Sequence, residues 1–166
     1  MALKSFFAKI FAKHIHHKTQ KWVKKPVETQ QKVFEKLIHQ SQNTQFGKDH
    51  HFSEIQSIAD FQKNVPIRDY EALKPYVDRV VAGEKDILWK GKPLYFAKTS
   101  GTTSGAKYIP LTADSMPTHI TAARNAILNY IHQTGKADFV NGKMIFLQGS
   151  PILDEKNGVK LGRLSG

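Results

Sequence analysis

Up to residue 82 the apolar residues of this chain recur at helical spacing, and beyond Asp86 they gather into short runs separated by turn residues. This change of period constrains the fold more than any other feature, because a face written for one period cannot be buried at the other. In the first stretch Pro26 suits a first helical position, and Val27, Val33, Phe34, Leu37 and Ile38 mark a helix to about Ser41. The polar segment Gln42–Gly47 ends it. Ser57 is placed to cap a short helix through Phe61, and Pro66 bars any helix from running on past it. Asp69 is placed to cap a helix over Tyr70–Ala82 that Gly83 terminates. In the second stretch Ile87–Trp89, Leu94–Ala97 and Lys107–Leu111 read as strands. Thr112 or Ser115 opens a long helix with an apolar face of Ile120, Ala123, Ile127, Leu128 and Ile131, closed by Gly135. Met144–Leu147 is a continuous apolar run, as expected of a strand buried on both faces. The order predicts an α/β fold: a helical N-terminal layer followed by strand, loop, strand, helix and strand.

Charge divides the chain differently. The formal net charge of +11 suggests a polyanionic partner: nucleic acid, an acidic membrane or a phosphorylated small molecule. Seven lysines (Lys4, Lys9, Lys13, Lys18, Lys21, Lys24 and Lys25) lie in residues 1–25, before the first carboxylate at Glu28; the remaining 141 residues hold 18 basic and 14 acidic groups. Residues 2–23 read as a basic amphipathic helix with Phe6, Phe7, Ile10, Phe11, His14, Ile15 and Trp22 on one stripe. The plainest expectation is that this Phe/Ile stripe packs on the domain while the lysines are solvated. Contact with a membrane surface or with nucleic acid through residues 1–25 is the alternative. Lys9 and Lys13 interrupt the apolar run and no small-residue cleavage site comes after it, so a secretory signal is not expected and the protein is expected in the cytoplasm. The chain has no cysteine, which excludes disulfides, zinc–thiolate sites and thiol nucleophiles. His14, His16 and His17 have no nearby carboxylate, and His50–His51 beside Asp49 reads as local hydrogen bonding, so no metal site is predicted.

The segment that carries chemistry is Lys98-Thr99-Ser100-Gly101-Thr102-Thr103-Ser104-Gly105-Ala106-Lys107. Its glycines let backbone N–H groups converge on an anion, and its hydroxyls add donors that can follow several phosphate oxygens. A lysine supplies a mobile positive charge. These are the ingredients for holding a triphosphate or pyrophosphate tail; a Ser/Gly/Thr turn without a ligand is the simpler alternative. The nucleotide-binding pattern G-x-x-x-x-G-K-[ST] does not fit. Gly101 and Gly105 are separated by three residues, Lys107 does not come directly after Gly105, and Tyr-Ile-Pro-Leu-Thr after Lys107 reads as extended where that pattern needs a helix.

TSGTTSGAKYIP resembles the phosphate-binding motif of the acyl-adenylate-forming superfamily. Its surroundings resemble the auxin-responsive acyl acid–amido synthetases (Gretchen Hagen family) in their bacterial form. The resemblance also rests on Thr44-Gln45-Phe46-Gly47-Lys48-Asp49-His50-His51-Phe52, Val65-Pro66-Ile67-Arg68-Asp69-Tyr70-Glu71, Leu73-Lys74-Pro75-Tyr76-Val77, Gly83-Glu84 with Ile87-Leu88-Trp89, and Phe96-Ala97-Lys98. It covers residues 26–166, leaving 1–25 as a basic helix outside it.

The resemblance implies a large adenylation domain, of which 26–166 would be the incomplete N-terminal part. It implies a ligase that activates a small carboxylic acid with ATP and Mg2+ as an acyl-adenylate and transfers the acyl group to an amine such as an amino acid. Nucleic acid has no part in that reaction. Ser100, Thr102 and Thr103 would be the main hydroxyl contacts to phosphate, Thr99 and Ser104 would extend them, Gly101 and Gly105 would allow close backbone approach, and Lys107 would be the motif lysine. The adenine site, the magnesium-binding acid, much of the acyl pocket and a mobile C-terminal domain would lie downstream of Gly166, and no catalytic residue is assigned. The chain is therefore expected to be a fragment that is inactive by itself.

Overall fold

In the computed structural model the described residues are 3–99, 107–143, 145 and 153–162. They form an α/β fold with a helical N-terminal layer, as the change of period predicts. The chain divides into two compact units, Met1–Gln30 with Asp114–Leu147, and Gln31–Ala113 with Gln148–Gly166.

The second unit is built on a four-stranded sheet. Strands β1 (Tyr95–Thr99), β2 (Lys107–Leu111), β3 (Asp154–Lys156) and β4 (Val159–Gly162) lie in the order β2-β1-β4-β3. β1 is antiparallel to β2 and parallel to β4, while β3 and β4 form a hairpin. β2 sits at the edge, where Pro110, which has no N–H to offer, is tolerated. The core beneath the sheet holds Val77, Val80 and Val81 of helix α5 (Tyr70–Val81) with Ile87, Phe96, Val159 and Leu161. Asp69 caps α5 by accepting from the Ala72 N–H. Its C-terminus closes in a Schellman turn: Gly83, at φ +96°, donates to Val80, and Glu84 donates to Arg79.

One expectation is corrected in this unit. Gln42–Gly47 does end the preceding helix, and within it Thr44 caps a short helix α3 (Gln45–Asp49) with its side chain accepting from the Gly47 N–H. Ile87–Trp89 forms no strand. Asp86, at φ +56°, instead closes a loop: its carboxylate accepts from Gly91 N–H and its own N–H donates to the Gly91 carbonyl. The Asp86 and Ile87 carbonyls accept from the first N–H groups of α3, so this segment has its backbone partners without a ladder. Helix α2 (Pro26–Ser41) keeps to its predicted bounds, and Phe34 and Ile38 of this helix pack with Phe52, Ile55 and Phe61. Helix α4 (Ile58–Asn64) runs three residues past the expected Phe61, and Ser57 caps it in a reciprocal box with Asp60.

The first unit pairs α1 (Leu3–Val23) with α6 (Met116–Thr134) and a 3-10 turn at Asp138–Asn141. Gly135, at φ +69°, ends α6 as expected. Of the predicted Phe/Ile stripe of α1 only Ile15 packs. The buried face is the stripe of Ser5, Ala8, Ala12 and Ile15, against Leu128, Ile131 and Ala137. Small side chains let the two helices approach closely, and Ser5 satisfies its hydroxyl by donating to the Ala137 carbonyl and accepting from the Asn141 amide. His16 of α1 stacks on His132 of α6 with ring centroids 3.9 Å apart. On α6, Leu128 and Ile131 are buried, whereas Ile120 and Ala123 of the predicted face are exposed. Of the predicted strand Met144–Leu147 only Ile145 is described; it is exposed and belongs to no strand, and the rest of that run lies outside the described residues.

Candidate functional site

The Ser/Thr/Gly segment joins β1 to β2, as the sequence predicts, and the register places Thr99 directly opposite Lys107 at its mouth. Thr99 is exposed and Lys107 is half-buried. The other candidate contacts, Ser100, Gly101, Thr102, Thr103, Ser104 and Gly105, lie outside the described residues.

Several elements fix the two ends of the loop. Phe96 of β1 is fully buried and meets the Tyr108 ring edge-on at 6.2 Å. Tyr70, the first residue of α5, accepts a 3.0 Å hydrogen bond from the Tyr108 N–H through its hydroxyl. That bond satisfies the outward donor of an edge strand. The same Tyr70 ring lies under the Lys107 ammonium, 5.1 Å from Nζ, and Lys156 Nζ sits 4.9 Å over the Tyr108 ring. Tyr70 and Tyr108 therefore hold the hairpin stem and steer its cation. Neither stands out in the sequence as a site residue; the only signal is that both fall inside the stretches that carry the family resemblance.

The parallel pairing of β1 with β4 orients the site. Both strands run toward the end of the sheet from which the loop leaves, so the carboxyl ends of a parallel pair and the loop share one edge of the fold. Open α/β sheets bind their ligands at that edge. At Gly162, which ends β4, a Cβ would push aside the Tyr95 hydroxyl and the Leu153 side chain. A separate apolar cavity beside β2 is lined by Val80, Ile87, Leu88, Trp89, Pro93 and Pro110, with no charged side chain among the described residues around it.

His50 has structural partners. His50 Nδ1 donates to the Asn64 carbonyl at 3.0 Å and Nε2 accepts from Arg68 at 3.1 Å, so both ring nitrogens are engaged. Asp49 accepts from the Tyr76 hydroxyl and the Gln45 amide, and these bonds, Tyr76 first, hold its carboxyl below the usual aspartate range. The conspicuous motif residues Thr44 to Phe52, Arg68 and Tyr76 thus form an interlocked support. Among the described residues no three His, Asp or Glu side chains converge as a metal site would require.

Residues 15–166 match the GH3 family N-terminal domain. The chain belongs to the GH3 family. Among GH3 relatives, the Arabidopsis thaliana protein named indole-3-acetic acid-amido synthetase GH3.15 is 30% identical over 112 residues, which cover 66% of this chain and 19% of that protein. The Nicotiana attenuata jasmonoyl–L-amino acid synthetase JAR4 is 24% identical over 136 residues, 80% of this chain and 23% of the relative. A solved structure of a GH3.15 acyl acid amido synthetase superposes with a TM-score of 0.72 at 22% identity, over 83% of this chain and 25% of that one. This similarity carries the GH3 fold. The chain spans about a fifth to a quarter of the length of these GH3 proteins. Both named sequence relatives are plant proteins and lend no support to a bacterial form.

Proposed function

We propose that this chain is the phosphate-binding part of an ATP-dependent ligase. The ligase activates a small carboxylic acid as an acyl-adenylate and passes the acyl group to an amine such as an amino acid. One observation carries the reading: within a GH3 domain, the β1–β2 register sets Thr99 against Lys107 at the neck of a loop of hydroxyls and glycines. Backbone N–H groups at Gly101 and Gly105 and hydroxyls from Thr99, Ser100, Thr102, Thr103 and Ser104 are suited to the β- and γ-phosphates of ATP. When the substrate carboxylate attacks the α-phosphate, negative charge builds on the departing pyrophosphate, and fixed donors are most valuable where charge develops. Lys107, on a flexible stem beside the Tyr70 ring, can follow that group as it leaves. Mg2+ would accompany the triphosphate and neutralise part of its charge. The names of the relatives, amido synthetases and amino acid synthetases, support an amine as the acyl acceptor.

The test is carboxylate-dependent ATP–pyrophosphate exchange in a protein of the relatives' length that carries this segment. Lys107→Ala, and separately Thr102→Ala with Thr103→Ala, are expected to lower exchange by roughly a hundredfold or more, as loss of a charge-stabilising donor does in other active sites. Exchange at the parental rate in both variants removes the loop from the mechanism.

A further inference from the structure

Packing α1 by its small residues leaves its bulky ones outside. Ser5 and Ala12 are fully buried, while Leu3 is 71%, Phe6 51%, Phe7 59% and Ile10 53% exposed. These four residues keep helical spacing on the side of α1 away from the Ser5–Ala12 stripe. Phe6 and Phe7 meet edge-on at 5.7 Å, giving one continuous aromatic ridge. Phe11 lies at the margin, where Arg124 of α6 covers its ring. The family match begins at residue 15, so the whole ridge precedes it and is no part of the matched GH3 domain.

We propose that the exposed Leu3–Ile10 face of α1, with the lysines around it, docks in the plane of an anionic phospholipid surface. Lys4, Lys9, Lys13, Lys18 and Lys21 belong to the same helix, and residues 1–25 contain no carboxylate. Phe, Leu and Ile side chains enter the boundary between headgroups and acyl chains, and lysine stems let ammonium groups reach lipid phosphates. Among the described residues no helix is long and apolar enough to cross a membrane, so the fit is to a surface. Charge argues against a second copy as the occupant, since it would bring the five lysines of α1 up to five more with no acid in either helix. It is compatible with nucleic acid, but an apolar ridge at the centre of the face offers phosphates nothing. The inference is independent of the phosphate-loop reading.

The test is co-sedimentation of the full chain with vesicles of phosphatidylcholine alone and of phosphatidylcholine mixed equally with phosphatidylglycerol, at low and high salt. Binding is expected to the mixed vesicles only, and to weaken with salt. Phe6→Ser/Phe7→Ser/Ile10→Ser should lower the bound fraction by roughly tenfold or more, with helical circular dichroism retained because these side chains are outside the packed stripe. Lys4→Gln/Lys9→Gln/Lys13→Gln is a second variant that touches no apolar contact; it should weaken binding and flatten the salt dependence. The proposal is overturned if the chain ignores mixed vesicles, if it binds neutral ones equally, or if neither variant changes binding. A dimer in sedimentation velocity that the triple-serine variant dissolves also overturns it and gives the face to a second copy.

Discussion

Gly47 shows how much one residue can carry. A Cβ at this position would collide with the Ser41 carbonyl and crowd Gln42, all backbone, so nothing can move aside cheaply. Gly47→Ala is expected to destabilise the chain by about 2–3 kcal/mol in urea unfolding, whereas Gly142→Ala, whose Cβ would meet only ordinary contacts, should be neutral within about 0.5 kcal/mol. Asp49 adds a pH dependence. Its carboxyl is held low by the Tyr76 hydroxyl and then the Gln45 amide. A lowered carboxyl contributes stability that is complete above the usual aspartate range and is lost as pH falls through the lowered value. Tyr76→Phe should therefore raise the Asp49 titration midpoint, read by carboxyl carbon NMR, and cost stability at neutral pH by an amount that shrinks on the acid side. These roles were only partly legible. That Thr44–Phe52 mattered was carried by the family resemblance alone; that it serves as a brace tying α3 to Ile87 and Arg68 could not be read, since those partners are far along the chain from the residues they hold.

At the scale of elements, helices with local punctuation could be read well. Pro26, Ser57, Asp69 and Gly135 each act within one turn, so a cap or a stop needs no knowledge of the rest of the molecule. Lys107–Leu111 was legible for a related reason, its extended residues ending a loop that begins with β1. The β3–β4 hairpin had an unread signal, Asn157-Gly158, both at positive φ as a two-residue turn requires. Periodicity is blind to it because β3 is Asp-Glu-Lys, exposed throughout. Asn157 also donates to the Val81 carbonyl, fastening the turn to the end of α5. Gly158→Ala, forced to hold φ +79°, is expected to cost about 1–2 kcal/mol, seen as faster amide exchange at Val159 and Leu161. The N-terminal helix forms over Leu3–Val23 as its spacing predicts, but its packed face differs for a physical reason. Two stripes of α1 satisfy helical spacing, and close packing on α6 favours the small residues Ser5, Ala8 and Ala12 over the larger ones.

At the scale of the whole molecule, the proposed function would give this chain one wall of a phosphate site and little else of a ligase. Among the described residues nothing converges on a metal, and the segment corresponds to 19% to 25% of the compared GH3 proteins. The 166-residue chain by itself is expected to give no carboxylate-dependent exchange and no amide product above the enzyme-free blank, measured with radiolabelled pyrophosphate and by mass spectrometry over a panel of acids and amino acids. Amide product from the chain alone would mean that the chemistry needs far less of the fold than the relatives possess.

The parallel pairing of β1 with β4 also has a consequence in time. A ribosome delivers β1 and β2 almost together, and they can zip as a hairpin at once. The other edge of β1 must wait until residue 162 has been made, with the whole of α6 synthesised in between. Throughout that interval Tyr95–Ala97 offers a row of unmatched backbone groups to any passing strand. For this chain, the hazard of misassembly is therefore set by the pace of translation between residues 111 and 162.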